Sequence, residues 1–106
     1  MANNFSDAQV VIANNSLTDI VTASNKSMVI GGTLTNTHTA GINVTLKKYD
    51  ASTTTDFVIL STVPLPTGAA LEIPKIVLQT SDKVKAQSDH ASGLLTVALN
   101  LLTDIT

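Results

Sequence analysis

Alternation of apolar and polar side chains within residues 42–49, INVTLKKY, restricts the possible folds of this chain most strongly. Ile42, Val44 and Leu46 fall on one face of an extended strand, and the residues between them are polar. A helix would spread these positions around its axis, whereas an antiparallel strand with one buried face keeps them together. The run 83–87, KVKAQ, repeats the pattern. The sequence therefore predicts half-buried antiparallel strands.

Turn residues divide the rest of the chain at intervals of about 8–12 residues, which is typical of a β-sandwich. The apolar or alternating runs between these turns predict strands at 8–12, 17–22, 28–35, 42–49, 57–63, 70–73, 75–79 and 83–87. The C-terminal run 93–106 fits a helical stripe and a strand face equally well, and the all-β surroundings favour a strand. We therefore predict an all-β fold: an antiparallel, jelly-roll-like β-sandwich with eight or nine short strands.

Glycine and proline residues predict where these strands bend or end. Gly31 and Gly32 lie inside a predicted strand and indicate a bulge or bend there. Pro64 lacks an N–H donor and is expected to end the run 57–63, whose two apolar faces are typical of a central strand. Pro74 predicts a sheet edge or a corner.

The length of 106 residues predicts one domain with a single core. Residues 1–7, MANNFSD, precede the first predicted strand and are mostly polar. We therefore divide the chain into an N-terminal arm, 1–7, and a single β-sandwich domain, 8–106. Two interpretations of the arm stay open: a frayed tail, or a segment that buries Phe5 against a neighbouring subunit.

The charged and aromatic residues do not fit the common kinds of active or nucleic-acid-binding site. The chain has six lysines, no arginine, three aromatic residues and a net charge of −2, so we expect no nucleic-acid partner. Cysteine is absent, which excludes disulfides and thiolate metal sites. Glu72 is the only glutamate, and most aspartates fall in turn contexts, where they cap the backbone. We predict that the protein is not an enzyme and has no cofactor.

The two histidines, His38 and His90, could meet in space and hold a metal ion together with Asp89. Their spacing in the sequence is not that of a metal-binding motif. We therefore interpret them as two exposed loop histidines and predict no metal site.

The N-terminus lacks the basic and apolar regions of a secretory signal, and no apolar run approaches the roughly 18 residues of a spanning helix. We expect a soluble chain with no membrane partner.

Apolar runs at both ends of the chain predict subunit contacts. The segments VVI, 10–12, and LLTVALNLL, 94–102, are apolar on both strand faces, so some of their side chains should emerge on the outside of a thin sandwich. Exposed apolar strips usually mark subunit interfaces. We predict a homo-oligomer with these interface residues: Phe5, Val10, Val11, Ile12, Leu99, Leu101 and Leu102.

The order of the strand runs resembles that of small virion structural proteins of tailed bacteriophages. The resemblance is carried by LTNTHTAGINVTLKKYD, then VPLPTGAALEI, then KIVLQTSDKVKAQSD and a closing apolar strand, and it covers about residues 8–106. It implies a β-sandwich or jelly-roll module without catalytic residues. Such a module would be a capsid cement or decoration protein that stabilises the shell through subunit contacts, or a neck or tail adaptor ring.

The same resemblance implies partners and a location. The partners would be further copies of the chain, as a trimer or ring, and the major capsid protein or neck and tail proteins. The location would be the virion, assembled in the host cytoplasm. A glycan-binding adhesion module is an alternative from another class, although Phe5, Tyr49 and Phe57 are few and scattered for a sugar-stacking platform.

Overall fold

The computed structural model describes residues 4–91 and 94–104, which form nine strands. They are β1 Asn4–Ile12, β2 Thr18–Thr22, β3 Ser27–Asn36, β4 Ile42–Asp50, β5 Thr55–Leu65, β6 Ala70–Glu72, β7 Ile76–Leu78, β8 Lys83–Ser88 and β9 Leu95–Thr103. The predicted all-β fold is confirmed. No helix in the described ranges is long and apolar enough to cross a membrane.

The strands form two antiparallel sheets, which we call sheet A and sheet B. Sheet A has the order β1-β9-β3-β6, with β7 also paired to β3, and sheet B has the order β2-β8-β4-β5. The chain therefore crosses between the sheets after β1, β2, β3, β5, β7 and β8, and β4 and β5 form a hairpin within sheet B. This strand order is that of a jelly roll, with β6 and β7 sharing one position, as predicted.

The alternating runs direct their apolar faces into the core between the two sheets. Ile42, Val44 and Leu46 of β4 are buried, and so are Val84 and Ala86 of β8. The residues between them are half-buried. The alternation that predicted these strands thus also indicates which face of sheet B packs against sheet A.

The paired glycines form a bulge in β3, as predicted. The register between β3 and β9 shifts between Val29 and Gly31. Gly32 has a φ of +157°, and a Cβ at this position would lie 2.3 Å from the carbonyl oxygen of Ala98. Only glycine therefore permits so close an approach of the two strands.

The run 57–63, predicted to be central, instead belongs to β5 at the edge of sheet B. The strand continues through Pro64, which pairs with Asn43. An edge strand tolerates proline because its open side needs no donor. Phe57 and Val58 are 51% and 54% exposed, so the two apolar faces mark an exposed edge rather than a buried centre.

The first strand begins at Asn4, ahead of the predicted start at residue 8. Residues 4–7 of the predicted arm belong to β1 and pair with β9 as regularly as residues 8–12 do. The cause is the length of β9, which offers a partner along the whole of β1. Residues 1–3 of the arm lie outside the described residues.

The last predicted element, 93–106, is the strand β9, Leu95–Thr103, and not a helix. It lies between β1 and β3, so both of its edges are paired. Residues 93, 105 and 106 of this prediction lie outside the described residues.

Candidate assembly surface

A cross-strand row of apolar side chains lies on the outer face of sheet A. Phe5 of β1 pairs with Leu102 of β9, which in turn pairs with Met28 of β3. Met28 pairs with Val77 of β7. Directly opposite residues share a face of the sheet. These side chains therefore form a continuous line across sheet A, which we call the apolar row.

The apolar row is open to solvent at both of its ends. Phe5 is 80% exposed and Val77 is 48% exposed, whereas Met28 and Leu102 between them are half-buried. Isolated exposed apolar residues are common, but a contiguous strip is typical of an interaction surface. Full burial of a phenylalanine such as Phe5 is worth about 1.5–3 kcal/mol before ordering costs.

A shallow depression of about 380 Å³ adjoins the apolar row. The glycines of the β3 bulge are among the residues that line it, and a Cβ at Gly31 would meet no atom within 4 Å. Gly31 pairs with Asn100, which precedes Leu102 on the same face of β9. Glu72 also lines the depression. The outer face of sheet A thus combines an apolar strip with a recess that can admit a side chain of a partner.

Ile12, Leu99 and Leu101 were predicted as interface residues and are instead part of the core. Their side chains are 2%, 1% and 4% exposed. The prediction is wrong for these residues because alternation along β1 and β9 turns them toward sheet B. When a strand is apolar on both faces, the side chains of one face pack into the core of its own chain. Only the side chains of the other face are available for an interface.

The remaining predicted interface residues occupy both faces of sheet A. Phe5 and Val11 are 80% and 61% exposed. Leu102 is half-buried in the apolar row, and Val10 packs against the core. An interface role for these residues stays a prediction.

Met28 and Val77 belong to the apolar row but were missed by sequence reasoning. Each lies between two buried residues of its own strand, so its outward direction could have been inferred from alternation. The missing information was that β7 pairs with β3, and β3 with β9. Strand neighbours of this kind are far apart in the sequence.

The outer face of sheet B differs because several of its charges are paired. Lys83 Nζ lies 3.2 Å from Asp19 Oδ2, and Lys85 Nζ lies 3.3 Å from Asp56 Oδ1. The same ammonium groups lie 5.8 and 4.7 Å from the centroid of the Tyr49 ring. These contacts offset the positive charge and cover part of the only tyrosine.

The two histidines lie in loops, as interpreted, and their rings touch; His90 is exposed as expected, whereas His38 is half-buried. The ring centroids of His38 and His90 are 4.6 Å apart, and the rings are tilted by 48°. Asp89 is engaged elsewhere: its Oδ1 accepts a 2.9 Å hydrogen bond from the backbone N of Asn43, and its Oδ2 accepts a 2.8 Å bond from Asn43 Nδ2. Among the described residues, no group of three or more His, Cys, Asp or Glu is placed to hold a metal ion.

Two aspartates near loops have lowered pKa values because their carboxylates accept hydrogen bonds. The backbone N–H of Asn43 is the main cause of the lowered pKa of Asp89. The Ser52 hydroxyl, which donates a 2.8 Å bond to Asp50 Oδ1, is the main cause of the lowered pKa of Asp50. Asp50 binds the backbone N of Ser52 within its own turn, as predicted for aspartates in turn contexts, whereas Asp89 binds the backbone N of Asn43 in strand β4.

No protein-family model and no curated protein matches this sequence. Among solved structures, the chain is similar to a protein of Bacillus endospore appendages, described as a novel family of disulfide-linked pili. The two share 15% identity with a TM-score of 0.58, over 100% of this chain and 93% of that chain.

The chain is also similar to a pentameric capsid protein isolated from metagenomic phage sequences. The identity is 14% and the TM-score is 0.50, over 92% of this chain and 63% of that chain. The chain therefore spans less than two thirds of that capsid protein. Proteins that share this fold thus include a phage capsid protein and a pilus protein.

Proposed function

We propose that this chain is a non-enzymatic structural protein of a phage virion, and that it acts as a cement or decoration protein on the capsid. The apolar row is the observation that carries the proposal. It offers a contiguous apolar contact on the outer face of sheet A. A decoration protein that buries such a strip across the joints between capsid subunits stabilises the shell, because it binds the assembled form preferentially.

The arrangement of polar groups is consistent with a structural role. Titratable side chains of the described residues form hydrogen bonds and ion pairs that connect different parts of the fold. Asp89 binds Asn43, and lysines of sheet B pair with aspartates. The fold shared with a phage capsid protein adds support. The partners in this proposal are further copies of the chain, as a trimer or ring, and the major capsid protein.

A neck or tail adaptor ring is the alternative within the same class, since it would use the same kind of surface. A glycan-binding module is less well supported. Sugar stacking needs an open aromatic platform, but Phe5 lies on sheet A, Phe57 lies on sheet B, and Tyr49 is close to two ammonium groups.

A subunit of a surface fibre is a second candidate, favoured by the likeness to the endospore appendage protein over nearly the whole of both chains. Those pili are described as disulfide-linked. This chain has no cysteine and would need a non-covalent contact between subunits.

The test is to locate the protein on purified phage particles and then to measure its binding to capsids that lack it. We expect it on the capsid shell in many copies. Finding it only on necks or tails would favour the adaptor, and finding it only on cell-surface fibres would overturn a virion role.

Variants of the apolar row then test the contact itself. The double substitution Met28→Thr with Val77→Thr should lower capsid occupancy at least about tenfold, since losing two apolar contacts of roughly 1 kcal/mol each has that effect. Phe57→Ser is the matched control, because it removes a similarly exposed apolar side chain from sheet B. Equal occupancy of the double variant and the control would contradict the proposed contact.

A further inference from the structure

β1 is an edge of sheet A whose outer side is open. Among the described strands it pairs only with β9, and it does so over the whole of Asn4–Ile12 without a register shift. In an antiparallel ladder, every second residue directs its N–H and C=O away from its partner strand. β1 therefore presents a row of backbone donors and acceptors along its outer side, which is a template for another strand.

The other sheet edges in the described part of the chain carry features that discourage strand pairing. β5 contains Pro64, and Thr62 has a positive φ of 51°. β2 has five residues and a register shift between Asp19 and Val21. β6 and β7 have three residues each and are separated by Pro74. β1 has nine residues without proline, lysine or a register shift, and its one charged residue is Asp7, so most of the usual protections of an edge strand are missing.

We infer that β1 pairs antiparallel with β1 of a second copy of this chain, about a two-fold axis at Ala8. The two copies of sheet A then form one continuous sheet. Ala8 is the central residue of Asn4–Ile12, so the whole strand is paired. In this register Phe5 of one copy opposes Val11 of the other, and Asp7 opposes Gln9.

The symmetry of the side chains about Ala8 carries the inference. Phe5 and Val11 are 80% and 61% exposed, which makes them the most exposed large apolar residues in the described chain. Both lie on the outer face of sheet A, and they are equally distant from Ala8 in the strand. The two-fold axis therefore places Phe5 of each copy beside Val11 of the other, so the two side chains bury part of each other twice per dimer. It also gives each Asp7 carboxylate an amide donor from Gln9.

Neighbouring registers are less favourable. A shift by one residue would place the outward Phe5 opposite an inward side chain, which a continuous sheet does not allow. An axis at Asp7 would set two carboxylates directly against each other, which is destabilising. An axis at Gln9 would set Asp7 against Val11 and leave Phe5 with no residue of β1 opposite it.

This contact does not depend on the proposed function. A trimer or ring uses a heterologous contact between two different surfaces, whereas the β1 pairing is isologous. Met28 and Val77, which test capsid binding, lie away from β1. Loss of one contact can therefore be measured while the other is retained.

Cysteine cross-linking tests the register, since the chain has no cysteine of its own. Phe5→Cys and Val11→Cys are prepared as two single variants, mixed, and oxidised. Directly opposite residues have Cβ atoms about 4.5–5.5 Å apart, which is close enough for a disulfide after a small adjustment. We expect a disulfide-linked dimer in the mixture. Neither variant alone should give it, because two thiols at position 5 would be about 20 Å apart.

The control mixture combines Val11→Cys with Phe57→Cys, whose thiol is exposed on β5 and should not cross-link. The register is wrong if Phe5→Cys alone cross-links as well as the mixture does, or if the mixture gives no dimer. Sedimentation of the wild-type protein gives an independent check, and a monomer at all accessible concentrations would overturn the inference.

Two substitutions of Gln9 that introduce opposite charges test the same contact, because one should strengthen it and the other should weaken it. Gln9→Lys places an ammonium opposite Asp7 of the second copy, and Gln9→Asp places a carboxylate there. We expect the dimer Kd of the aspartate variant to be about two- to thirtyfold higher than that of the lysine variant, from two cross-strand pairs per dimer. The difference should shrink at high salt. Matched substitutions at Ser61, exposed on β5, are the control; equal Kd values for both Gln9 variants would contradict the pairing.

Discussion

The ammonium of Lys48 lies 3.7 Å from Oδ2 of Asp82, whose side chain is 2% exposed. Two backbone groups also bind this carboxylate: the N–H of Ala51 donates to Oδ1 and the N–H of Gln79 donates to Oδ2, both at 3.0 Å. Asp82 therefore ties the β4–β5 loop to the turn before β8. Lys48, which is 28% exposed on its side chain, offsets the buried charge.

Substitution of Asp82 should lower the free energy of unfolding more than substitution of Lys48. Asp82→Ala leaves two N–H groups without their acceptor and should cost about 3 kcal/mol, whereas Lys48→Met should cost about 1 kcal/mol. Asp82→Asn should fall between them, because an amide has only one acceptor oxygen. Urea unfolding measures all three. A larger loss in Lys48→Met than in Asp82→Ala would show that the ion pair outweighs the hydrogen bonds.

Asn36 should be a second polar residue whose loss destabilises the fold strongly. It is fully buried, and its Nδ2 donates 2.9 Å hydrogen bonds to the carbonyl oxygens of Ala40 and Leu65. Its Oδ1 accepts a 2.8 Å bond from the backbone N of His38. Asn36→Ala should cost about 3 kcal/mol in urea unfolding. Asn100→Ala, at an exposed position of β9, is the control and should stay within about 0.5 kcal/mol of wild type.

Acid should weaken the fold through Asp89. Its folded-state pKa is lowered below the ordinary value of 3.8, chiefly by the Asn43 backbone N–H. The stabilisation is therefore present above pH 3.8 and is lost as the pH falls through the lowered pKa. Asp89→Asn should remove this part of the pH dependence of the urea midpoint. Asn43→Ala should remove a smaller part, because the backbone bond remains; unchanged pH profiles in both variants would contradict the assignment.

The contact between His38 and His90 should have a small effect on stability and need no metal. A double-mutant cycle with His38→Ala and His90→Ala should give a coupling of about 0.5–1.5 kcal/mol, as for other ring pairs. A chelator should not change the melting temperature, because Asp89 is engaged by Asn43. A lower melting temperature after chelation would instead indicate a metal site.

Deletion of residues 2–7 should lower the melting temperature, contrary to the expectation for a detached arm. The deletion removes the ladder pairs that residues 4–7 make with β9. A loss of about 1 kcal/mol corresponds to a decrease of roughly 4–8 °C in a domain of this size. Phe5→Ser retains the backbone pairing and should melt near the wild type in dilute solution. Unchanged melting of the deletion variant would show that the start of β1 contributes nothing to the fold.

Most of the fold could be predicted from the sequence, because strands and turns are specified locally. The alternation in 42–49 depends only on neighbours along the chain, and it predicted both β4 and its buried face. The bulge in β3 could be predicted for the same reason, since two adjacent glycines inside a strand have few other uses. Pro64 was misinterpreted because its tolerance depends on whether β5 lies at an edge, which is a property of the whole sheet.

The candidate surface was only partly predictable. Phe5, Val11 and Leu102 were identified as apolar and lie at least partly exposed, but Leu99 and Leu101, chosen by the same criterion, are buried. Composition cannot separate these groups, because a one-residue difference in position reverses the face on which a side chain lies.

The sequence by itself determined the strand segments, the turns between them and the all-β class, since each depends on short-range alternation and backbone chemistry. The tertiary structure alone decided that β1 lies at an edge beside β9, and that Phe5, Leu102, Met28 and Val77 form one row. Strand pairing joins residues from opposite ends of the chain, and no local pattern specifies which strands become neighbours. The physical reason is that the row forms only when two whole sheets pack over one core, and this packing depends on all the strands at once.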